Sequence, residues 1–258
     1  MTQHERLSYL IHYLKSENDN LKKVEVPDNE AEQKVLLRSL MNIRPPKNIE
    51  EDFLSIQDAY LQEEQRGKHL VSLTDLFPVQ KGIYLWQGDI TVLKTDGIVN
   101  AANNALLGCF VPCHGCIDNA IHSAAGIQLR LECFRIMAAQ KSAEPIGKAK
   151  ITKAYNLPCR YVLHTVGPII YDRVTEADCG LLADCYRSCL ELADTCGLKS
   201  LAFCCISTGE FHFPNELAAE IAIRTVKEYQ QKNQSGLEVV FNVFKNEDYE
   251  IYKRLLAD

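Results

Sequence analysis

The sequence predicts a three-layer α/β/α fold with a mixed, largely parallel central sheet, preceded by an N-terminal helical extension. Short β-branched segments alternate with helical segments from about residue 81 onward, and this alternation implies crossover connections between parallel strands. Before residue 81, apolar residues recur at helical spacing. Polar loops follow several predicted strands, at the sheet edge where ligands bind in such folds. We therefore expect an extension over residues 1–80 and one α/β domain over residues 81–258.

Three amphipathic stretches make up the extension, at about 3–17, 29–43 and 49–65. Prolines at positions 27, 45 and 46 separate them. This part of the chain has no catalytic motif, so we expect a helical cap packed on the main domain. A docking surface for a partner protein is the alternative. The residues that share a helical face in the first and third stretches are Leu7, Leu10, Ile11 and Leu14, and Phe53, Ile56, Ala59 and Tyr60.

The α/β domain follows as strands and helices in alternation. Residues of its strands are β-branched and apolar, whereas its helices show a period near 3.6 residues. We expect strands over 83–86, 97–100, 149–155, 161–166, 201–205 and 238–244. We expect helices over 116–125, 127–140, 177–196, 215–231 and from about 247.

Charge and cysteine content exclude several classes of function. The chain carries 28 basic and 34 acidic residues, a net charge of −6, which gives no electrostatic reason to bind nucleic acid non-specifically. No run of eighteen apolar residues occurs, so we expect no membrane span. The N-terminus lacks a secretion-signal pattern, and the cysteine count is eleven, an odd number. Both favour reduced thiols in the cytoplasm, available for metal binding or catalysis.

Two polar loops follow the first two long strands. Asp89, in Gln-Gly-Asp-Ile-Thr at 87–91, is by itself more typical of a turn cap than of a ligand site. Asn100 and Asn103 lie at the end of a buried strand, where asparagine is uncommon. Their amides can either hold loop backbone or bind sugar hydroxyls.

The third loop is rich in metal-ligand side chains. Three cysteines and His114 occur within eight residues, beside two glycines and a proline. Thiolate and imidazole ligands at short spacings suit zinc, and a site with three protein ligands leaves a fourth position for water or substrate. Chance clustering is the alternative because cysteine is frequent in this chain, but the histidine and the glycines favour a metal.

Asp118 and His122 begin the helix that follows this loop. They are four residues apart and therefore share one helical face. The helix dipole would stabilise an ionised Asp118 near the N-terminus, where it could act as a base or as a cap. His122 could equally line the wall of the site through hydrogen bonds, without a catalytic role.

The fourth loop follows the strand at 201–205. It contains Ser-Thr-Gly at 207–209, then aromatic residues and a proline that opens a helix. Such a segment can present successive backbone N–H groups to a diphosphate without any lysine. An ordinary strand-to-helix connection is the alternative interpretation.

Together, in this order and spacing, the four loops resemble those of the macrodomain family. Gly-Asp-Ile-Thr at 88–91, followed by Asp-Gly-Ile-Val-Asn-Ala-Ala-Asn at 96–103, is similar to the opening signature of that family. His-Thr-Val-Gly-Pro at 164–168 and Ile-Ser-Thr-Gly at 206–209, with Phe-Pro at 213–214, are similar to its later motifs. The resemblance covers about residues 81–258 and implies a macrodomain fold that binds ADP-ribose.

One departure from the usual macrodomain pattern is informative. Hydrolytic macrodomains carry a glycine run ahead of a Val/Ile-Asp pair, and here Gly-Cys-Phe-Val-Pro-Cys-His-Gly-Cys at 108–116 replaces it. This replacement resembles the zinc-containing macrodomains of bacteria and some fungi. The resemblance implies a Zn²⁺ ion held by Cys109, His114 and Cys116, with Cys113 as the competitor for the place of Cys109.

The resemblance also implies roles in ADP-ribose binding. Asp89 is expected to accept a hydrogen bond from the adenine amino group with Ile90 beside it, and Phe244 to stack on the adenine ring. Asn103 is expected to hold a distal-ribose hydroxyl. Glu210 stands where the family usually has an apolar residue, so its carboxylate must point away from the diphosphate. The residues expected to line the diphosphate and distal ribose are Ser207, Thr208, Gly209, Glu210 and Phe211.

The function implied is zinc-dependent removal of mono-ADP-ribose from proteins modified on aspartate or glutamate, with release of ADP-ribose. Asp118, Asn103 and His122 are the expected catalytic residues. Either Asp118 activates a water while zinc orients the ribose, or a zinc-bound hydroxide attacks. Similar bacterial proteins imply a partner, a lipoate-carrier protein modified by a sirtuin-type transferase. A reader that binds ADP-ribose without cleaving it is one alternative, and a cysteine cluster acting as a structural clasp or redox sensor is another.

Overall fold

The computed structural model describes residues 1–257. Four helices form its N-terminal part: α1 (Gln3–Ser16), α2 (Asp19–Lys22), α3 (Glu30–Ile43) and α4 (Glu51–Arg66). Helix α1 begins at a capping box in which Thr2 and Glu5 exchange hydrogen bonds, and the side chain of Asn29 caps α3. The predicted helical extension is therefore present.

The long helices of the extension bury their apolar stripes against one another. Phe53 is fully buried there, and Ile127, the first residue of α6 (Ile127–Gln140), joins the same cluster. The extension is thus docked on α6 through an apolar contact. The buried residues contributed by α1, α3 and α4 are Leu7, Leu10, Ile11, Leu14, Leu37, Leu40, Met41, Phe53 and Tyr60.

A seven-stranded sheet forms the centre of the second part of the chain. Its strands, in spatial order, are β2 (Pro78–Gln80), β3 (Ile83–Gln87), β9 (Glu238–Val243), β8 (Ser200–Phe203), β5 (Gly97–Ala101), β7 (Tyr161–Thr165) and β6 (Ala149–Lys153). The five inner strands run parallel, and the two edge strands β2 and β6 are antiparallel to their neighbours. Two short strands, β1 (Val71–Ser72) and β4 (Leu93–Lys94), pair in parallel outside this sheet.

Helices flank the sheet. Helix α5 (Ile117–Ala125) packs on α6 and β5, while α7 (Glu176–Thr195), α8 (Asn215–Asn233) and α9 (Asn246–Ala257) pack side by side. One continuous apolar core joins the strands to these helices. The predicted three-layer α/β/α architecture with a mixed, mostly parallel sheet is confirmed.

The differences from the predicted elements have simple physical causes. Helix α2 and the strands β1, β2 and β4 are four residues or shorter, too short to show a period in the sequence. The strand predicted to reach residue 155 ends at Lys153, because Tyr155 adopts a left-handed conformation with φ of 55°. Cys116 caps α5 rather than belonging to its first turn.

The division of the chain at residues 80 and 81 stays a prediction. Strand β2 precedes that position and pairs with β3, and β1 pairs with β4. The segment 71–80 thus joins the sheet region, after the four helices end at Arg66. Within residues 1–257, none of the helices combines the length and apolar character needed to span a bilayer.

Candidate active site

The four loops singled out in the sequence all leave the same edge of the sheet. Strands β3, β5, β8 and β9 run parallel, so the segments that follow them emerge at their shared carboxyl edge. Hydrogen bonds join some of these segments directly: the amide of Gly88 donates to the carbonyl of Val243 (2.9 Å). The topology therefore assembles one site from residues far apart in sequence.

Asp89 and Phe244 lie at one end of this site. The carboxylate of Asp89 caps a 3-10 turn by accepting from the amide (2.9 Å) and the hydroxyl (2.7 Å) of Thr91. Ile90 is buried beneath it. The Phe244 ring is 75% exposed, and Gln87 donates to the Phe244 carbonyl (3.3 Å). An exposed aromatic ring beside a carboxylate turn is suited to a flat heterocycle with an amino group.

The loop after β8 presents backbone amides. Ser207 has a φ of 66°, in the left-handed region, and its carbonyl accepts from the amide of Phe213 (3.0 Å), which closes the loop. The N–H groups of residues 208–211 donate to no group within residues 1–257. Four successive free amides are suited to binding an anion. A Cβ at Gly167 would lie 2.0 Å from the Ser207 hydroxyl, so the loop after β7 contacts this one closely.

Asp118 is held by two amides at the centre of the carboxyl edge. Its Oδ1 accepts from Asn100 Nδ2 at 2.8 Å, and its Oδ2 lies 3.4 Å from Asn103 Nδ2. Asn103 also donates to the carbonyl of Gly108 (3.1 Å). Burial raises the pKa of Asp118 to about 6, against the opposing effect of the Asn100 hydrogen bond. The structure thus brings together Asp118 and Asn103, two of the expected catalytic residues.

His122 lies one turn further along α5. Its Nε2 is 3.5 Å from Asp118 Oδ1, and neither ring nitrogen makes a hydrogen bond within residues 1–257. Burial lowers the pKa of His122 well below its usual value, so the ring is neutral. A Cβ at Gly108 would approach the ring to 2.7 Å. His122 is therefore both a neighbour of Asp118 and a wall for the loop that begins at Gly108.

The segment 106–116, termed here the metal loop, gathers the three predicted ligands. One ligand atom each from Cys109, His114 and Cys116 lies within 4.8 Å of the others. Cys109 Sγ is 3.7 Å from Nδ1 of His114, a separation that two ligands of one zinc ion would have. Cys116 occupies the N-cap of α5, where its sulfur accepts from the amide of Asn119 (3.4 Å).

Cys113 and Glu210 point in directions that the sequence left open. The sulfur of Cys113 lies 3.2 Å from the hydroxyl of Ser39 and 3.5 Å from the carbonyl of Val35, on α3. Cys113 therefore faces the extension and not the other two thiols. Glu210 Oε1 lies 3.6 Å from Nε2 of His114, so its carboxylate turns toward the metal loop, as required if the diphosphate lies on the amides.

The chemistry of the three ligands fits a zinc ion. Burial, and then repulsion from Cys109, raise the pKa of the Cys116 thiol to about 12, so the protein alone does not favour two thiolates here. A divalent cation supplies the charge that two thiolates need. Nδ1 of His114 faces Cys109, and Nε2 faces a carboxylate, the arrangement typical of metal-binding histidines.

Two polar residues that hold this site, Arg130 and Arg38, were missed in the sequence. Arg130, on α6, donates to the carbonyls of Leu107 (2.6 Å) and Cys109 (3.3 Å). Arg38, on α3, donates to Asn119 at 2.7 Å. The sequence signal that could have identified them is weak: Arg130 is a charged residue between two leucines in a largely apolar part of α6, and Arg38 follows a buried leucine.

Comparisons with known proteins place these observations in a family. The Macro domain model matches residues 99–222. A protein-ADP-ribose hydrolase of Treponema medium is 56% identical over 261 residues and covers 100% of both chains. A protein-ADP-ribose hydrolase of Staphylococcus aureus (strain MRSA252) is 48% identical over 250 residues, 96% of this chain and 94% of that one. The crystal structure of a Trypanosoma brucei macrodomain in complex with ADP-ribose is similar at a TM-score of 0.66 and 31% identity, covering 84% of this chain and 94% of that one.

Proposed function

The chain belongs to the macrodomain family, and from this premise we propose that it is a zinc-dependent hydrolase that removes mono-ADP-ribose from proteins. The observation that carries the proposal is a buried carboxylate, Asp118, in the first turn of the helix whose N-cap is Cys116, one of the three clustered residues Cys109, His114 and Cys116. Two relatives that match nearly the whole chain are named protein-ADP-ribose hydrolases. A binding module would need neither the carboxylate nor the ligands.

The nucleotide is held along the carboxyl edge without any basic side chain. Asp89 accepts from the adenine amino group beside Ile90, and the exposed Phe244 ring stacks on the base. Asn103 binds a hydroxyl of the distal ribose through its amide. The free amides that receive the diphosphate and distal ribose follow the buried Ser207 and belong to Thr208, Gly209, Glu210 and Phe211.

Cys109, His114 and Cys116 would hold the zinc ion, with Glu210 beside the outer nitrogen of the imidazole. Bound there, zinc supplies a Lewis acid that orients and polarises a hydroxyl of the distal ribose or a water. The carboxylate of Glu210 lies 3.6 Å from Nε2 of His114, and its charge favours a proton on that nitrogen, which is the tautomer whose Nδ1 is free to ligate. Cys113 takes no part because its sulfur faces α3.

Asp118 acts on the water that attacks the anomeric carbon. The amides of Asn100 and Asn103 fix the orientation of the carboxylate, and the neutral His122 excludes bulk water from its far side. Water adds at the anomeric carbon as Asp118 accepts its proton. The ester bond to the acceptor breaks, and the acceptor carboxylate of an aspartate or glutamate leaves without needing a proton. Activation of the attacking water at the metal site that Cys109, His114 and Cys116 would form is the alternative.

Measurement of metal content together with ADP-ribose release tests the proposal. The substrate is a protein mono-ADP-ribosylated on aspartate or glutamate, and a lipoate-carrier protein modified by a sirtuin-type transferase is the first to try. Purified protein should contain about one zinc per chain, and His114→Ala should lose both metal and release of ADP-ribose. Full activity in metal-free protein would exclude the zinc mechanism.

Asp118→Asn separates the two ways of activating water. If Asp118 is the base, this variant retains zinc and loses activity by a factor of roughly 10²–10⁴. Activity near that of the wild type, with metal retained, would assign the activation of water to the metal site that Cys109, His114 and Cys116 would form. Tight binding of ADP-ribose without release from any modified protein would instead identify a reader.

A further inference from the structure

Helix α3 of the extension lies against the outer side of the metal loop. The side chain of Asn42 accepts from the backbone amide of Cys113 (2.9 Å) and donates to the hydroxyl of Ser123 (2.9 Å). Ser39 and Val35 contact the sulfur of Cys113. The extension therefore hydrogen bonds directly to the loop that carries the candidate ligands, which a helical cap alone would not need.

Arg38 makes the most directed of these contacts. Its Nε and Nη2 both donate to Oδ1 of Asn119, at 3.1 and 2.7 Å, and Nη2 also donates to the carbonyl of His114 at 3.3 Å. Asn119 is fully buried. The guanidinium is half-buried, so these charge-assisted bonds are protected from solvent and stronger than surface bonds.

Asn119 links Arg38 to the metal loop through hydrogen bonds of its own. Its Nδ2 donates to the carbonyl of Val111 (3.0 Å), and its backbone amide donates to the sulfur of Cys116 (3.4 Å). The guanidinium sets the orientation of the Asn119 amide group, because Oδ1 must face Arg38 and Nδ2 must then face the loop. One arginine thus fixes the backbone at His114 directly and at Val111 through Asn119.

We propose that Arg38 is a positioning residue for the metal loop, so that the N-terminal extension is a working part of the hydrolase. The inference rests on the proposed metal site. The direction of the His114 imidazole depends on the backbone to which it is attached, and the loop has two glycines and no regular secondary structure between residues 102 and 116. Contacts from outside the loop are therefore what hold the ligands in register.

Full-length relatives share the extension. The Treponema medium and Staphylococcus aureus hydrolases align with 100% and 96% of the chain, so the alignments include the extension. An element that only added stability could be replaced by better packing elsewhere. A helix that forms part of the site, as α3 does here, must be present wherever the metal loop that it contacts is present.

The test compares Arg38→Gln, Arg38→Lys and a control, Arg66→Gln, in the full-length protein. Arg66 is 73% exposed on α4 and pairs with Glu63. For each we would measure the rate of zinc loss to a chromophoric chelator, kcat, the Kd for ADP-ribose and the midpoint of thermal unfolding. Arg38→Gln should lose zinc roughly tenfold faster and lose kcat by a similar factor.

The Kd for ADP-ribose should change less than about twofold, because the adenine and diphosphate loops do not contact Arg38, and their binding energy is independent of it. Arg38→Lys keeps the positive charge but lacks the planar guanidinium with its several donors. Its rate of zinc loss and its kcat should therefore lie between those of the wild type and Arg38→Gln. The control should match wild type in zinc loss and kcat.

Unchanged zinc loss and kcat in Arg38→Gln would overturn the proposal, even if the unfolding midpoint falls, since that result indicates a purely structural contact. Should Arg38→Gln fail to fold, the same comparison is made with Arg38→Lys. Wild-type protein without zinc would refute the proposed metal site; Arg38 would then be judged by kcat alone, and an unchanged kcat would overturn its positioning role as well.

Discussion

Replacement of Arg130 by lysine probes how a buried cation holds the metal loop on the extension. The guanidinium is 5% exposed and donates to five backbone carbonyls but to no carboxylate within residues 1–257. Burial lowers the pKa of Arg130 to about 10, which leaves it charged at neutral pH. The acceptors are Leu107 and Cys109 of the metal loop and Met41, Asn42 and Arg44 at the end of α3.

The distribution of these bonds gives the expected magnitude. The three carbonyls from the α3 end all bond to Nη1, at 2.6–3.0 Å, so a single ammonium group can satisfy them. Nε and Nη2 hold Leu107 and Cys109, and lysine has no donor left for these. Two lost bonds to a charged donor cost about 1.5–3 kcal/mol each.

A cavity of about 10 Å³ beside His122 and Arg130 is the size of one water, but neither Leu107 nor Cys109 lines it, so a water there does not replace the two lost bonds. We therefore expect the free energy of unfolding to fall by about 3 kcal/mol in Arg130→Lys. For a chain of this length the midpoint of thermal unfolding would fall by roughly 6–12 °C.

Urea unfolding followed by circular dichroism measures the free energy, and a thermal scan measures the midpoint. Arg160→Lys is the matched control: its side chain is 65% exposed and pairs with Asp96, so the change should be below about 1 kcal/mol. If the free energy of unfolding of Arg130→Lys is within about 0.5 kcal/mol of the wild-type value, the bonds to Leu107 and Cys109 contribute no more than ordinary surface bonds. That result would refute the stabilising role assigned to them.

Three further changes probe the site itself. Phe244→Ala should weaken ADP-ribose binding about 5- to 150-fold, from the loss of ~1–3 kcal/mol of base stacking. The stability of the free protein should not change, because the ring is 75% exposed. If calorimetry finds equal Kd values for the variant and the wild type, Phe244 is not part of the adenine site. Gly108→Ala should destabilise the protein by at least ~1 kcal/mol, since Gly108 has a φ of 77° and a Cβ would approach the His122 ring to 2.7 Å; an unchanged urea midpoint would contradict this packing. Glu210→Gln should lower zinc affinity about tenfold in a chelator competition, whereas Glu220→Gln on the exposed side of α8 should not; equal affinities would show that the Glu210 carboxylate does not support His114.

The sequence predicted those parts of the fold that repeat. Strands such as 97–100 and helices such as 127–140 have apolar periods long enough to recognise, and α6 has the predicted limits. Strand alternation then fixed the position of the loops, because parallel strands share one carboxyl edge. Short elements such as α2 and β4 have no period and depend on tertiary contacts alone.

The contacts that hold the site could not be predicted in the same way. Arg38 bonds to Asn119 across 81 positions of sequence, and no local pattern records such a partner. The choice between Cys109 and Cys113 depends on backbone conformation: Cys113 has a φ of 51°, and its sulfur faces Val35 and Ser39. A left-handed residue other than glycine or asparagine has no reliable signature in sequence.

The hydrogen bonds between α3 and the metal loop bear on the transfer of this chemistry to other proteins. A segment of eleven residues between a strand and a helix looks like an insert that could be grafted onto any macrodomain sharing this sheet. Such a graft would carry both thiols and the imidazole but neither Arg38 nor Asn42, whose partners include the backbone of Cys113 and His114. The smallest transferable unit is therefore the loop together with the helix that braces it, two pieces that are separated by more than sixty residues of chain.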